Sequence, residues 1–194
     1  MLEIVERRLP GVDLGRAALD EADQAGQAVD GDQRVATFMW NNQEHFEAYV
    51  AVPAMGAVLH TLNIRLFPEQ IEFVAYEAED RVVIADLSLA PILGPLLHRL
   101  ETVHTVIAVG EGDLAPFEAS GKNVLRYHEI TAAESDEFDW PVIDENSAAA
   151  MCYTSGTTGH PKGVVYGHRS SYLHSMAVCS GNGLGLSFSD KALP

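Results

Sequence analysis

The chain has 194 residues, of which 47% are apolar, and a formal net charge of −16 at pH 7. This composition is typical of a globular protein and argues against wholesale disorder. The excess of 28 acidic over 12 basic residues also argues against nucleic acid or an anionic membrane as a partner, because both require clustered lysine and arginine.

No run of about 20 apolar residues is present, so the sequence predicts no transmembrane segment. The first ten residues lack the apolar core of a signal peptide. Two cysteines, Cys152 and Cys179, are too few for a disulfide framework and fit a reducing cytosol. We therefore expect a cytoplasmic protein in which both cysteines pack in the core.

The charge is unevenly distributed along the chain. Residues 1–33 carry eight acidic residues and three arginines, a net charge of −5, and residues 111–145 carry ten acidic and two basic residues, a net charge of −8. Residues 146–194 carry one acidic and three basic residues, a net charge of +2, with seven of the sixteen glycines. The acidic blocks are expected to be solvated surface, and the last segment is where an anionic ligand would bind.

From Arg34 onwards, strands and helices are predicted to alternate. Residues 1–33 give little pattern beyond a weak helix over 17–29. Short apolar runs predict strands at residues 35–40, 57–62, 81–86, 103–109, 148–153 and 164–166. Helices are predicted after Asn42, from Pro68, over 91–100, near 129–136 and over 168–179. This alternation predicts an α/β layered fold with a largely parallel sheet, and an irregular acidic region over 111–145.

Apolar spacing also predicts which helix faces are buried. In the helix that begins at Pro68, a periodic face contains Ile71, Val74, Ala75 and Ala78. In the helix after Asn42, helical spacing relates His45, Phe46, Tyr49 and Val50. We interpret Phe46, Tyr49 and Tyr76 as core residues of their helices, not as part of a cofactor site.

Residues 153–163 form the segment that indicates chemistry. Three glycines permit close approach of the backbone to a ligand, and turn N–H groups form anion-binding concavities. Hydroxyl groups add hydrogen-bond donors, and Lys162 adds a full positive charge. These properties suit a polyphosphate, and the candidate binding residues are Thr154, Ser155, Gly156, Thr157, Thr158, Gly159 and Lys162.

The segment differs from two common nucleotide-binding motifs. Counting from Gly156, the second glycine of a Walker-type P-loop is replaced by Pro161, and Gly163 stands where that motif has serine or threonine. The Gly-x-Gly-x-x-Gly pattern of dinucleotide-binding folds is also missing. Both readings therefore fail on spacing.

The string YTSGTTGHPKGVV from Tyr153 resembles the signature of the adenylate-forming enzymes, which include acyl-CoA synthetases, luciferases and peptide-synthetase adenylation domains. Upstream, RVATFMWNN from Arg34 and AVPAMGAVLHTLN from Ala51 are similar to medium- and long-chain fatty-acid–CoA ligases. The resemblance covers residues 34–194, whereas residues 1–33 match poorly. It implies that residues 34–194 are part of the large N-terminal adenylation domain, with the phosphate loop at 153–163.

The resemblance implies a two-step reaction. A fatty-acid or other carboxylate attacks the α-phosphate of Mg-ATP and forms an acyl-adenylate and pyrophosphate, after which the thiol of coenzyme A displaces AMP. The segment from Thr154 to Lys162 would hold the β- and γ-phosphates, and the Thr154 hydroxyl would help to position Mg²⁺. The substrate carboxylate is itself the nucleophile, so the resemblance requires no catalytic nucleophile from these residues.

In the family, the adenine- and ribose-binding residues, the catalytic lysine and the C-terminal domain all follow the part that this sequence resembles. We therefore expect a truncated or split ligase with little activity alone, whose uncovered edges favour a complementing chain or a homo-oligomer. Two alternatives remain open, namely a non-catalytic module that binds nucleotide or a partner, and a gene remnant.

The histidines fall into two groups. His160 lies inside the phosphate loop and is a candidate phosphate contact, while His168 follows the loop and is a candidate helix cap or acyl-site residue. Five of the other histidines are interpreted as structural or surface residues, namely His45, His60, His98, His104 and His128.

Overall fold

The computed structural model describes residues 33–133, 140–154, 161–187 and 190. The strands are β1 (Arg34–Phe38), β2 (Val58–Thr61), β3 (Asp80–Asp86), β4 (Thr105–Val109), β5 (Asn123–Arg126), β6 (Ala148–Thr154) and β7 (Lys162–Gly167). The helices are α1 (Gln43–Ala54), α2 (Pro68–Ala78), α3 (Ala90–Leu97), α4 (Ala115–Glu118), α5 (Tyr127–Ala133) and α6 (His168–Cys179), with a 3-10 helix at Leu87–Leu89. The weak helix expected over 17–29 and the end of the one near 129–136 lie outside the described residues.

The strands form one sheet in the order β5-β4-β3-β1-β2-β6-β7. Neighbouring strands from β5 to β6 are parallel, and only β7 runs antiparallel to its neighbour β6. The predicted α/β fold with a largely parallel sheet is therefore confirmed. In the described part of the chain, three strands lie on each side of β1, which is therefore the central strand of the sheet.

Helices cover both faces of the sheet. One face packs against α1 and α5, with Val52 and Tyr127 in its core cluster. The other packs against α2, α3 and α4, with Val74, Leu93 and Phe117 in its core cluster. Two covered faces explain why the central strands read as nearly continuous apolar runs without polar alternation.

Local sequence signals define the first two helices. The Asn42 carboxamide oxygen accepts a hydrogen bond from the backbone N–H of His45 at 2.9 Å, which caps the helix predicted after Asn42. Gly56 follows α1 with a φ of 94°, a conformation that glycine adopts at little cost. Pro68 is the first residue of α2, and the buried face of that helix is confirmed as Ile71, Val74, Ala75 and Ala78.

The assignment of the aromatic residues to helix cores was wrong. Phe46, Tyr49 and Tyr76 are 63%, 50% and 62% exposed. In α1 the buried face consists instead of His45, Glu47, Ala48, Ala51 and Val52. Small side chains let this helix lie close to the sheet, and the Tyr127 hydroxyl donates a hydrogen bond to the buried Glu47 carboxylate.

The region 111–145 is more regular than predicted. It contains α4, β5 and α5, and β5 pairs with β4 over four residue pairs from Thr105↔Asn123 to Ala108↔Arg126. The Phe117 side chain is fully buried against the α3 side of the core. This acidic stretch therefore contains an edge strand and an integral part of the hydrophobic core.

We expect Gly94→Ala to destabilise the fold. A Cβ atom at residue 94 in α3 would lie 2.7 Å from the carbonyl oxygen of Pro116 in α4, so the two helices pack closely at this glycine. Alanine gains up to about 1 kcal/mol in helix propensity, but forcing apart two packed backbones costs about 1–3 kcal/mol. Urea unfolding should therefore show a lower midpoint.

Gly181→Ala is the matched control for Gly94→Ala, because a Cβ atom at residue 181 has no neighbour within 4 Å. Its free energy of unfolding should stay within about 0.5 kcal/mol of the parent value. A Gly94→Ala chain as stable as the parent would contradict the close contact of α3 with α4.

The last two described elements are unusually exposed. Helix α6 contains no buried residue, and the exposed fractions of Val165, Tyr172 and Met176 are 59%, 67% and 56%. Cys152 is half-buried and Cys179 is exposed, so the predicted core position of Cys179 was wrong. In the part of the chain that the structure describes, no helix is long and apolar enough to cross a membrane.

Candidate polyphosphate site at the carboxyl edge of the sheet

The segment predicted to bind polyphosphate connects β6 to β7. Thr154 is the last residue of β6 and Lys162 is the first residue of β7. Because β7 is antiparallel to β6, both residues lie at the edge formed by the carboxyl ends of the parallel strands. Ligands of open α/β sheets bind in the crevice outside this edge.

Pairing between the two strands brings the ends of the loop together. Thr154 is the cross-strand partner of Lys162, and Tyr153 is the partner of Gly163. The Thr154 hydroxyl and the Lys162 ammonium thus belong to one cross-strand pair, although eight positions separate them in sequence. The other predicted site residues lie outside the described residues, as does His160; they are Ser155, Gly156, Thr157, Thr158 and Gly159.

The Lys162 side chain is accessible to a ligand. It is exposed, and among the described residues no carboxylate forms an ion pair with it. The nearest basic residue in sequence, Arg169, is by contrast paired with Glu145 at 2.9 Å. An unneutralised ammonium beside N–H and hydroxyl donors is chemically suited to an anion.

A buried polar pair lies inside the sheet, between β2 and the first residue of β3, and the sequence analysis missed it. The Nδ1 atom of His60 in β2 lies 2.9 Å from both carboxylate oxygens of Asp80 in β3. Burial raises the pKa of the Asp80 carboxyl, while the hydrogen bond and charge of His60 oppose that rise. The available signal was a histidine inside an apolar strand, at VLHT, but nothing local pointed to its partner.

Tyr153 connects this pair with the loop. Its ring lies against the His60 ring, with the centroids 5.3 Å apart and the planes inclined by 51°. Partial burial and then the charges of Glu77 and Asp80 raise the pKa of the Tyr153 phenol, which therefore stays neutral at pH 7.

A cavity of about 570 Å³ lies on the opposite face of the sheet, between α1 and α6. Its lining combines apolar groups such as Leu59 with the polar groups of Cys152, Tyr166 and His168. The Nε2 atom of His168 is buried and has no hydrogen-bond partner among the described residues. Gly167, not His168, is the N-cap of α6, while the acyl-site role of His168 stays a prediction.

Metal-binding groups are sparse in the described part of the chain. There, no group of three or more histidine, cysteine, aspartate or glutamate residues is arranged to hold a metal ion. The Thr154 hydroxyl is the candidate protein ligand at the carboxyl edge. This donor set fits Mg²⁺ that is bound mainly through substrate phosphates, which is a common arrangement for this ion.

Comparison with known proteins identifies the family. Residues 24–192 match the family described as AMP-binding enzyme. The chain belongs to this family. It is 43% identical over 161 residues to the 3-methylmercaptopropionyl-CoA ligase of Ruegeria pomeroyi, in an alignment that covers 83% of this chain and 30% of the relative.

One further relative and one solved structure extend the comparison. The medium-chain-fatty-acid–CoA ligase of Ectopseudomonas oleovorans is 42% identical over 161 residues, which are 83% of this chain and 29% of the relative. The crystal structure of the anthranilate CoA ligase AuaEII in complex with anthranoyl-AMP superimposes with a TM-score of 0.72 at 17% identity, covering 86% of this chain and 30% of that one.

The relatives support two conclusions. The fold is that of the N-terminal domain of adenylate-forming enzymes, and the resemblance to fatty-acid–CoA ligases is confirmed at the level of the family. The chain spans about 30% of the length of the Ruegeria and Ectopseudomonas ligases.

Proposed function

We propose that this chain supplies the polyphosphate-binding part of an ATP-dependent carboxylic acid–CoA ligase. The observation that carries the proposal is the β6–β7 pairing, which sets Thr154 opposite Lys162 at the carboxyl edge of a largely parallel sheet. The relatives of this chain are named as CoA ligases of carboxylic acids. The proposed ligands of the loop are the β- and γ-phosphates of ATP.

The chemistry assigns a definite role to these residues. A carboxylate oxygen of the substrate attacks the α-phosphorus, and the bond from that phosphorus to the bridging oxygen of the β-phosphate breaks. Negative charge then develops on the leaving pyrophosphate. The Lys162 ammonium and the Thr154 hydroxyl belong to paired strand ends, and we assign to them the stabilisation of this charge, to which the donors of the connecting segment would add.

Magnesium fits the same site. The Thr154 hydroxyl would hold the ion together with phosphate oxygens, since Mg²⁺ commonly takes one or two protein oxygens plus substrate phosphates. When bound, the ion supplies additional positive charge to the phosphates. Thr154 is the last residue of β6 and therefore lies at the carboxyl edge of the sheet.

The acid is proposed to be a fatty acid, with coenzyme A as the acceptor of the acyl group. The named acids of the relatives differ, since one ligase acts on a sulfur-containing short acid and another on medium-chain fatty acids. We also propose that the chain has little ligase activity alone, because phosphate contacts supply only part of the orientation that the reaction requires.

ATP–pyrophosphate exchange tests this proposal. The purified chain with a panel of fatty acids should show little acid-dependent exchange. A chimera of the Ectopseudomonas medium-chain ligase, in which residues 33–187 of this chain replace the matching segment, should show exchange that depends on both ATP and acid. A folded chimera without exchange for any acid would contradict the assignment, and strong exchange by the chain alone would refute the proposed dependence on other parts.

A further inference from the structure

The buried pair of His60 and Asp80 extends across the central strand of the sheet. Both side chains are essentially inaccessible to solvent, at 1% and 0% exposure. His60 in β2 is the register partner of Ala36 in β1, and Asp80 begins β3 on the other side of β1. Alanine at position 36 leaves room for the two polar groups to meet above β1.

One hydrogen-bonding partner fixes the imidazole. The Nδ1 atom of His60 lies 2.9 Å from both carboxyl oxygens of Asp80. The Nε2 atom is buried and has no hydrogen-bond partner among the described residues. The orientation of the His60 ring therefore depends on Asp80 and on the groups that pack against the ring.

The Tyr153 ring is packed between His60 and β7. Its centroid lies 5.3 Å from that of His60, within the range of favourable contacts between rings. On its other side, a Cβ atom added to Gly163 would lie 3.2 Å from the Tyr153 Cζ atom. The tyrosine ring thus covers the backbone of Gly163, an arrangement by which aromatic residues stabilise glycines in edge strands.

Stability alone does not account for a pair of this kind. A buried pair of ionisable side chains contributes little net stability relative to apolar side chains of similar volume, because desolvation offsets the attraction between them. Asp80 contacts His60, His60 contacts Tyr153, and Tyr153 contacts Gly163. Tyr153 and Gly163 form the cross-strand pair directly next to that of Thr154 and Lys162. These contacts therefore bear on the position of the β6 and β7 ends more than on the stability of the fold.

We propose that Asp80 and His60 are positioning residues that hold the Tyr153 ring against Gly163 and thereby fix the Thr154–Lys162 pair for binding of a polyphosphate. The ligand in this inference rests on the proposed function, whereas the positioning of the strand ends does not. Neither residue contacts the phosphate. Their effect is transmitted by packing of the Tyr153 ring.

A matched pair of histidine variants tests the inference. His60→Gln should weaken the binding of Mg-tripolyphosphate to the chain by roughly three- to tenfold, the value of one lost ring contact. His45→Gln is the control, since His45 is also buried, between Thr37 and the Trp40 carbonyl, but on the α1 face. It should lower the urea midpoint and leave the affinity within about twofold. Equal losses of affinity in both variants would overturn the proposal.

Tyr153 provides a second test that does not depend on His60 variants folding. Tyr153→Phe keeps the ring and should retain the parental affinity, whereas Tyr153→Leu should reproduce the loss seen in His60→Gln. If Tyr153→Leu binds the probe as tightly as Tyr153→Phe, the ring has no positioning role and the proposal is wrong.

Measurements without ligand separate this inference from the proposed function. In amide spectra of the free chain, His60→Gln should shift the resonances of Thr154 and Gly163, while His45→Gln should not. If the parent chain fails to bind Mg-tripolyphosphate, the proposed function fails, and the positioning claim is judged by these shifts. Unchanged resonances in His60→Gln would overturn the positioning claim even where the parent chain binds the probe.

Discussion

Replacing Lys162 with alanine is expected to weaken the binding of Mg-tripolyphosphate by about 10- to 100-fold, because a hydrogen bond to a charged group contributes about 1.5–3 kcal/mol. The side chain is exposed and is not neutralised by a described carboxylate. Its removal therefore costs the interaction with the ligand and little of the fold. Titration calorimetry of both chains gives the ratio of dissociation constants.

Arg169→Ala is the matched control for Lys162→Ala. It removes the same charge from the same segment, but Arg169 is paired with Glu145 on the surface, and such pairs contribute at most about 1 kcal/mol. Binding should change by less than about threefold, since the remaining effect is long-range and screened by salt. Equal losses in the two variants would show that overall charge, not the position of Lys162, attracts the ligand.

Phe117→Ala is expected to cost about 3–5 kcal/mol of unfolding free energy, the range found for large aromatic side chains deleted from cores. The side chain is fully buried. It packs with residues of α3 and of the sheet in one of the two core clusters. Urea unfolding monitored by circular dichroism should show a clearly lower midpoint.

Phe46→Ala makes the same chemical change at an exposed position. Phe46 is 63% exposed on α1, so its loss should change the free energy of unfolding by no more than about 0.5 kcal/mol. A large effect at Phe46 together with a small one at Phe117 would contradict both the exposed position of Phe46 on α1 and the place of α4 in the core.

This pair of phenylalanines shows where local pattern succeeds and where it fails. The face of α2 was predictable because four apolar residues recur at helical spacing and all of them meet the sheet. The face of α1 was not, because Glu47 is buried with a hydrogen bond from Tyr127, which lies 80 positions away in sequence. A partner so distant leaves no periodic signal.

Strand β5, which forms one edge of the sheet, was not predicted for a related reason. Residues 123–126 are only partly buried and include polar side chains at both ends. Their extended conformation is determined by the ladder with β4 rather than by their own propensity. Pairing of this kind is tertiary information, which an acidic and irregular stretch of sequence does not display.

In the candidate site, the features contained in one short segment were predictable, and the contacts between distant strands were not. The order of glycines, hydroxyls and Lys162 predicted a polyphosphate loop from sequence alone, since the chemistry is contained within eleven consecutive positions. The contact of His60 with Asp80 joins β2 to β3, which lie on either side of β1. The contact of His60 with Tyr153 adds β6. Only the strand order brings these residues together.

The most direct test of the account is an NMR titration of the isotopically labelled chain with Mg-tripolyphosphate. We expect the amide resonances of Thr154, Lys162 and Gly163 to move together along one saturation curve, and that of Lys122, which hydrogen-bonds the distant Leu100 and Val103 carbonyls, to stay in place. Because this method detects weak binding, it does not require the rest of a ligase. Saturating shifts confined to other parts of the sheet, or no shifts at Thr154 and Lys162, would contradict a polyphosphate site between β6 and β7.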